Sequence, residues 1–144
     1  MDTEDQLAGV MGHEIAHADL RHSTRQMTSS YGVSTLLTMA TGNANDGMVK
    51  QVLSGLTSLK FSRNHENEAD AHSVEYLCNT KYDPAGAAGF FKKIAGSEAP
   101  PEFLSTHPNS NDRVKNIETR AASKTCSPST TTVTQHNRIK QLIK

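Results

Sequence analysis

The sequence predicts a mainly α-helical protein built as one domain. Three observations carry that expectation. Apolar residues recur every three to four positions in successive segments, strand-like alternation is almost absent, and capping and turn residues separate the segments. At 144 residues and 35 % hydrophobic content, the chain suits a single core of modest size.

Residues 4–22 form the first predicted helix, with Leu7, Val10, Met11, Ile15, Ala18 and Leu20 in helical spacing. Asp2 or Thr3 is its cap, and Asp5 suits the positive end of its dipole. Residues 23–41 form a second helix, richer in Ser and Thr. Gly42-Asn43-Ala44-Asn45-Asp46-Gly47 is a turn, and Asn45 or Asp46 caps the next helix. From 48 to 77 no proline interrupts the series Val49, Val52, Leu53, Leu56, Leu59, Ala69, Val74 and Leu77. It reads as one long helix, or as two divided near residues 62–64. Asp83 and Pro84 open the next helix as N-cap and first position, and it carries Phe90, Phe91 and Ile94 to about Gly96. Pro100-Pro101 and His107-Pro108 bracket an irregular stretch. Asn109 or Ser110 then caps a helix to Ala122, with Val114 and Ile117 inward. Residues 127–134 hold enough β-branched side chains for a short strand, and 135–144 close the chain as a weak helix or frayed tail. Met27, Met39, Phe90 and Phe91 are read as core residues.

Fifteen Lys and Arg balance fifteen Asp and Glu, so the net charge is zero and no electrostatic case exists for nucleic acid or an anionic membrane. The longest apolar stretch, residues 33–40, is interrupted by Ser34, Thr35 and Thr38 and falls far short of the roughly 20 residues that span a bilayer. No transmembrane segment and no signal peptide are expected. Cys78 and Cys126 lack C-x-x-C partners, which argues against a cysteine zinc site or a thioredoxin-type motif. They either bridge or remain two thiols.

The chemistry lies in His13-Glu14-Ile15-Ala16-His17, an H-E-x-x-H motif inside the first predicted helix. Positions i and i+4 share a helix face, so both imidazoles reach one metal ion. Glu14 stands about 100° round the helix, placed to lean toward a metal-bound water without ligating. A third ligand must come from elsewhere. Residues 61–72 offer His65, Glu66, Glu68, Asp70 and His72. Glu66 and Asp70 share a face, while Glu68 points about 200° away from Glu66. Spacing leans only weakly to Glu66 and leaves the choice open. Asp19 and Glu75 are read as surface charges.

The motifs together resemble the HtpX-type zinc peptidases, metallopeptidase family forty-eight, which includes the CAAX prenyl proteases. Gln6-Leu7-Ala8-Gly9-Val10 precedes His13, then come Ser62-Arg63-Asn64-His65-Glu66-Asn67-Glu68-Ala69-Asp70 and Ser105-Thr106-His107-Pro108 with Arg113. These keep the family's order E-L-a-x-V-x-x-H-E-x-x-H, S-R-x-x-E-x-x-A-D and S-T-H-P…R over roughly residues 4–122. His72 and Ser73 depart from the small residues the family favours. The resemblance implies a zincin-like (gluzincin) core, with residues 1–125 as catalytic domain and 126–144 as a polar C-terminal tail. It implies one Zn²⁺ per chain held by His13, His17 and Glu66, with Asp70 behind the histidines. Glu14 becomes the general base for peptide hydrolysis. His107 matches a mobile histidine that stabilises the oxyanion or takes the zinc's open position. Arg113 supports substrate or packs at its helix start. Arg21 and His22 echo a family pair, with His22 either behind the ligands or exposed. The family's small β-sheet, which precedes the metal helix, is expected to be largely absent from these 144 residues, and this would account for the low apolar fraction. The resemblance also implies a protein or peptide substrate and a periplasmic or envelope setting, with protein quality control as the task. The alternative is a protease-derived chaperone or adaptor with a structural or self-blocked zinc site.

Overall fold

The computed structural model describes residues 1–57, 60–95, 103–107, 112–131 and 133–142, and all regular structure among them is helical. Helix α1 spans Glu4–Asp19, and Thr3 caps it by accepting from the Gln6 amide at 3.1 Å. It stops short of the expected His22 because Arg21 adopts the left-handed conformation, with φ 54°, and turns the chain into α2, His22–Tyr31. Gly32, at φ 78°, separates α2 from α3, Val33–Ala40, so the expected helix over 23–41 is two. Asn45 accepts from the Met48 amide at 2.8 Å and starts α4, Asp46–Thr57. Ser62 accepts from the His65 amide at 3.2 Å and starts α5, Arg63–Leu77, so the stretch from 48 to 77 divides in two. The expected position Leu59 lies outside the described residues.

Asp83 accepts from the Ala85 amide at 2.8 Å, and α6 begins after that turn, at Gly86–Ala95, two residues later than expected. Helices α7, Phe103–Thr106, α8, Arg113–Ala122, and α9, Val133–Leu142, complete the order. Gly96, Pro100, Pro101, Pro108 and the candidate caps Asn109 and Ser110 lie outside the described residues. The strand expected over 127–134 does not form among its described residues. There the backbone makes isolated bonds, from the Ser127 amide to Cys78 O and from the Thr130 amide to Lys81 O, both 2.9 Å.

Helix α1 lies across α5 and α6, and both of those also pack on α8. Val74, Ala87, Ala88, Phe91, Ile94 and Ile117 form the apolar cluster. Phe90, Met27 and Met39 are only partly buried, unlike Phe91. The inward face of α1 is Gly9, Val10, Gly12, His13, Ala16 and His17. Leu7, Met11 and Ile15, which signal the helix in the sequence, are 43 %, 54 % and 56 % exposed. Close approach decides this orientation. A Cβ on Gly9 would stand 2.1 Å from the Ala87 amide nitrogen, and one on Gly86 would stand 2.0 Å from Asp5 O. Only glycines let α1 and α6 cross so closely.

Cys78 and Cys126 form a disulfide across 48 residues, with Cα atoms 4.6 Å apart. Beyond it the Asp5 carboxylate accepts from Ser129 and Thr131, and Met1 O accepts from Lys140 at 2.8 Å. Chain-entropy arithmetic for a 48-residue loop gives about 4 kcal/mol of stabilisation. Cys126→Ser paired with Cys78→Ser is therefore expected to lose about that amount in urea unfolding. A loss below about 1 kcal/mol would mean that the reduced chain already holds these segments together.

Candidate metal centre

The burial of α1 against α5 turns His13 and His17 inward, and the cap at Ser62 sets α5 so that Glu66 meets them. The His13 and His17 Nε2 atoms stand 3.0 Å apart. Glu66 Oε2 is 3.4 Å from His13 Nε2, and Glu66 Oε1 is 3.3 Å from His17 Nε2. His107 joins from the residue after α7, its Nδ1 3.1 Å from Glu66 Oε1 and 3.4 Å from His13 Nε2. All four side chains are buried, and their donor atoms lie within 4.8 Å of one another. A tetrahedral ion bonded at about 2.0–2.1 Å spaces its donors by about 3.3–3.4 Å, so this cluster has the size and the donors of a metal site.

Behind the donors sits a second layer of charge. Asp70, one turn after Glu66, places Oδ1 2.8 Å from His13 Nδ1. Such a contact holds the Nδ1 proton and leaves the Nε2 lone pair facing the cluster. Arg113 donates from Nε and Nη2 to the two Asp70 oxygens at 2.7 and 2.6 Å, and its Nη1 lies 2.9 Å from Glu66 Oε2. The guanidinium is fully buried over the Phe91 ring, 3.9 Å from its centroid. Arg113 thus has its partners inside the cluster, on the Asp70 and Glu66 carboxylates.

Electrostatics follow from this packing. Burial would raise the Glu66 pKa, but hydrogen bonds from His107, His13 and His17 and the Arg113 charge hold the carboxylate far below its usual range. Burial pulls His13 down, yet its contacts with Asp70 and Glu66 outweigh that and raise it. His17 is lowered, chiefly by burial. Because Arg113 neutralises two buried carboxylates, Arg113→Met is expected to destabilise the metal-free protein by about 3–5 kcal/mol in chemical denaturation. A cost under about 1 kcal/mol would show that the carboxylates take up protons or water instead.

Glu14 lies on the exposed side of the cluster, with Oε1 3.5 Å from His107 Nε2. The other candidates on α5 part company. Glu68 Oε2 meets His22 Nε2 at 3.1 Å and Arg25 Nη1 at 3.0 Å, and His65 stacks on the His22 ring at 4.5 Å. His72 faces Glu75 at the surface, 3.9 Å away. His22 itself is fully buried. Asp19 accepts from the Tyr76 hydroxyl at 2.6 Å. Sequence reasoning missed Phe61, whose ring lies 4.1 Å from that of His17, and Arg25. The only available signal for Phe61 was its place beside the capping Ser62.

A family model described as peptidase family M48 matches residues 1–121. The beta-barrel assembly-enhancing protease of Yersinia pestis is 33 % identical over 136 residues, covering 83 % of this chain and 28 % of that protein. Metalloprotease YcaL of Escherichia coli K12 is 28 % identical over 131 residues, covering 85 % of this chain and 52 % of that protein. The mitochondrial metalloendopeptidase OMA1 of Schizosaccharomyces pombe is 31 % identical over 121 residues, covering 80 % and 36 %. The chain spans 28 % of the length of the beta-barrel assembly-enhancing proteases that it matches.

Proposed function

The chain belongs to peptidase family M48, and from that membership we propose that it is a zinc-dependent endopeptidase with a zincin-like (gluzincin) core. The observation that carries the reading is the donor spacing. Two imidazoles, a carboxylate and a further imidazole, all buried, stand 3.0–3.4 Å from their neighbours. His13, His17 and Glu66 would hold one Zn²⁺, with Asp70 orienting His13 and Arg113 balancing both carboxylates. Bound there, zinc supplies a Lewis acid that polarises a peptide carbonyl and brings the pKa of water to about 7.

Glu14 takes the proton of the attacking water and passes it to the leaving amine. Its half-exposed carboxylate reaches both the cluster and incoming substrate. His107 brings an imidazole to the same edge of the site, beside the developing charge on the carbonyl oxygen. Residues 1–125 form the proposed catalytic unit, and 126–144 the polar tail that follows it.

The proposed substrate is an unfolded or misassembled protein, and the proposed setting is envelope protein quality control. The names of the beta-barrel assembly-enhancing relatives favour this, as does the disulfide, which persists in oxidising compartments. No helix among the described residues is long and apolar enough to cross a membrane. The chaperone or adaptor reading gains nothing from these relatives, each of which is named as a protease or endopeptidase.

Metal analysis paired with casein cleavage tests the proposal. One zinc per chain is expected, with cleavage abolished by 1,10-phenanthroline and restored by zinc. Cleavage indifferent to the chelator, or protein that takes up no zinc, would end this reading.

A further inference from the structure

His17 differs from His13 in what holds its outer nitrogen. His13 Nδ1 meets a carboxylate directly, whereas His17 Nδ1 lies 2.9 Å from another imidazole nitrogen, His22 Nδ1. Proton counting then fixes the rest. A neutral imidazole has one N–H and one lone pair. If His17 Nε2 gives its lone pair to a metal, its proton sits on Nδ1 and is donated to His22 Nδ1. His22 must then carry its own proton on Nε2, and that atom lies 3.1 Å from Glu68 Oε2. Arg25 Nη1, 3.0 Å from the same oxygen, holds the carboxylate in place, and the His65 ring covers the His22 face.

We propose that Glu68 and His22 form a positioning relay that fixes the tautomer and direction of His17 and so sets the affinity of the site for zinc. The inference rests on the reading of His17 as a metal ligand. The backbone supports it independently. Had α1 continued, residue 22 would lie about 140° round the helix from His17 and about 7.5 Å along it, unable to reach beneath that ring. The left-handed Arg21 breaks the helix and returns the His22 imidazole to His17. Such a conformation in a non-glycine residue costs about 1–2 kcal/mol, and the contact it makes possible is the relay.

The test measures zinc affinity by chelator competition in the full chain, with wild type and His17→Ala as controls. His22→Ala is expected to weaken zinc binding about 10–100-fold. His22→Gln, whose amide oxygen accepts from His17 Nδ1, recovers most of that loss. Glu68→Ala, at a half-exposed position that does not threaten folding, weakens binding about 3–10-fold, and has no added effect on top of His22→Ala. The relay is overturned by a His22→Ala protein of wild-type metal-free thermal midpoint that binds zinc within twofold of wild type. A His22→Gln variant as weak as His22→Ala also overturns it, since the role is then packing alone. Should His22→Ala not fold, Glu68→Ala decides, and affinity within twofold of wild type overturns the relay. Failure of the wild type to bind zinc removes the ligand reading itself and is thereby distinct from failure of the relay.

Discussion

Replacing Glu14 by glutamine is expected to leave zinc in place and to lower peptide hydrolysis by about 10²–10⁴-fold, the usual contribution of a positioned general acid–base group. Glutamine preserves the shape of the side chain and its reach toward His107 but cannot take a proton from water. The position favours a clean result. Glu14 is about half exposed, so the substitution leaves no buried charge without a partner. It also lies outside the convergent donors His13, His17, Glu66 and His107, so metal content should not move. Zinc content and kcat measured on the same preparation decide the matter. Wild-type turnover in Glu14→Gln would reject the proposed proton transfer, and loss of zinc would make Glu14 part of the metal site.

Glu66→Ala should have the largest effect on metal. It removes the only carboxylate among the four clustered donors, and with it the charge that draws a divalent ion between the imidazoles. Stoichiometric zinc is expected to disappear from the purified protein. Asp70→Asn provides the contrast, because it keeps a hydrogen-bond acceptor near His13 Nδ1 and leaves every proposed ligand intact. Its expected cost is about 10–100-fold in zinc affinity, without loss of the site. Equal zinc content in Glu66→Ala and wild type would reject Glu66 and return the choice to Glu68 or His65.

The helical class and several helix starts were legible because their causes are local. Thr3, Asn45 and Ser62 each cap a helix within three residues of chain; Thr3 and Asn45 stood among the expected caps, whereas Ser62 marked only the alternative of a break over residues 62–64. Breaks were harder to read. Nothing about an arginine marks position 21 for the left-handed region, so the end of α1 stayed hidden. The inward face of α1 misleads for a different reason: it buries glycines and the clustered His13 and His17 while Leu7, Met11 and Ile15 face outward. Apolar spacing therefore found the helix without finding its buried side. In α5, helical geometry correctly separated the directions of Glu66 and Glu68, but which of them met the histidines depended on how α5 docks on α1. His22 lay beyond local reasoning, since only the break at Arg21 returns it to His17.

The Cys78–Cys126 bond closes the chain into a covalent ring that contains α6, α7 and α8, and with them His107 and Arg113. Any single backbone cut within that ring leaves one molecule, with every side chain of the cluster still tethered. The largely exposed turn at residues 41–45 lies outside the ring, between His17 and Glu66, and a cut there separates His13 and His17 from Glu66 and His107. The two kinds of nick therefore differ in outcome. A ring nick gives a single band on a non-reducing gel and two after reduction, while a nick at the turn gives two bands in either case.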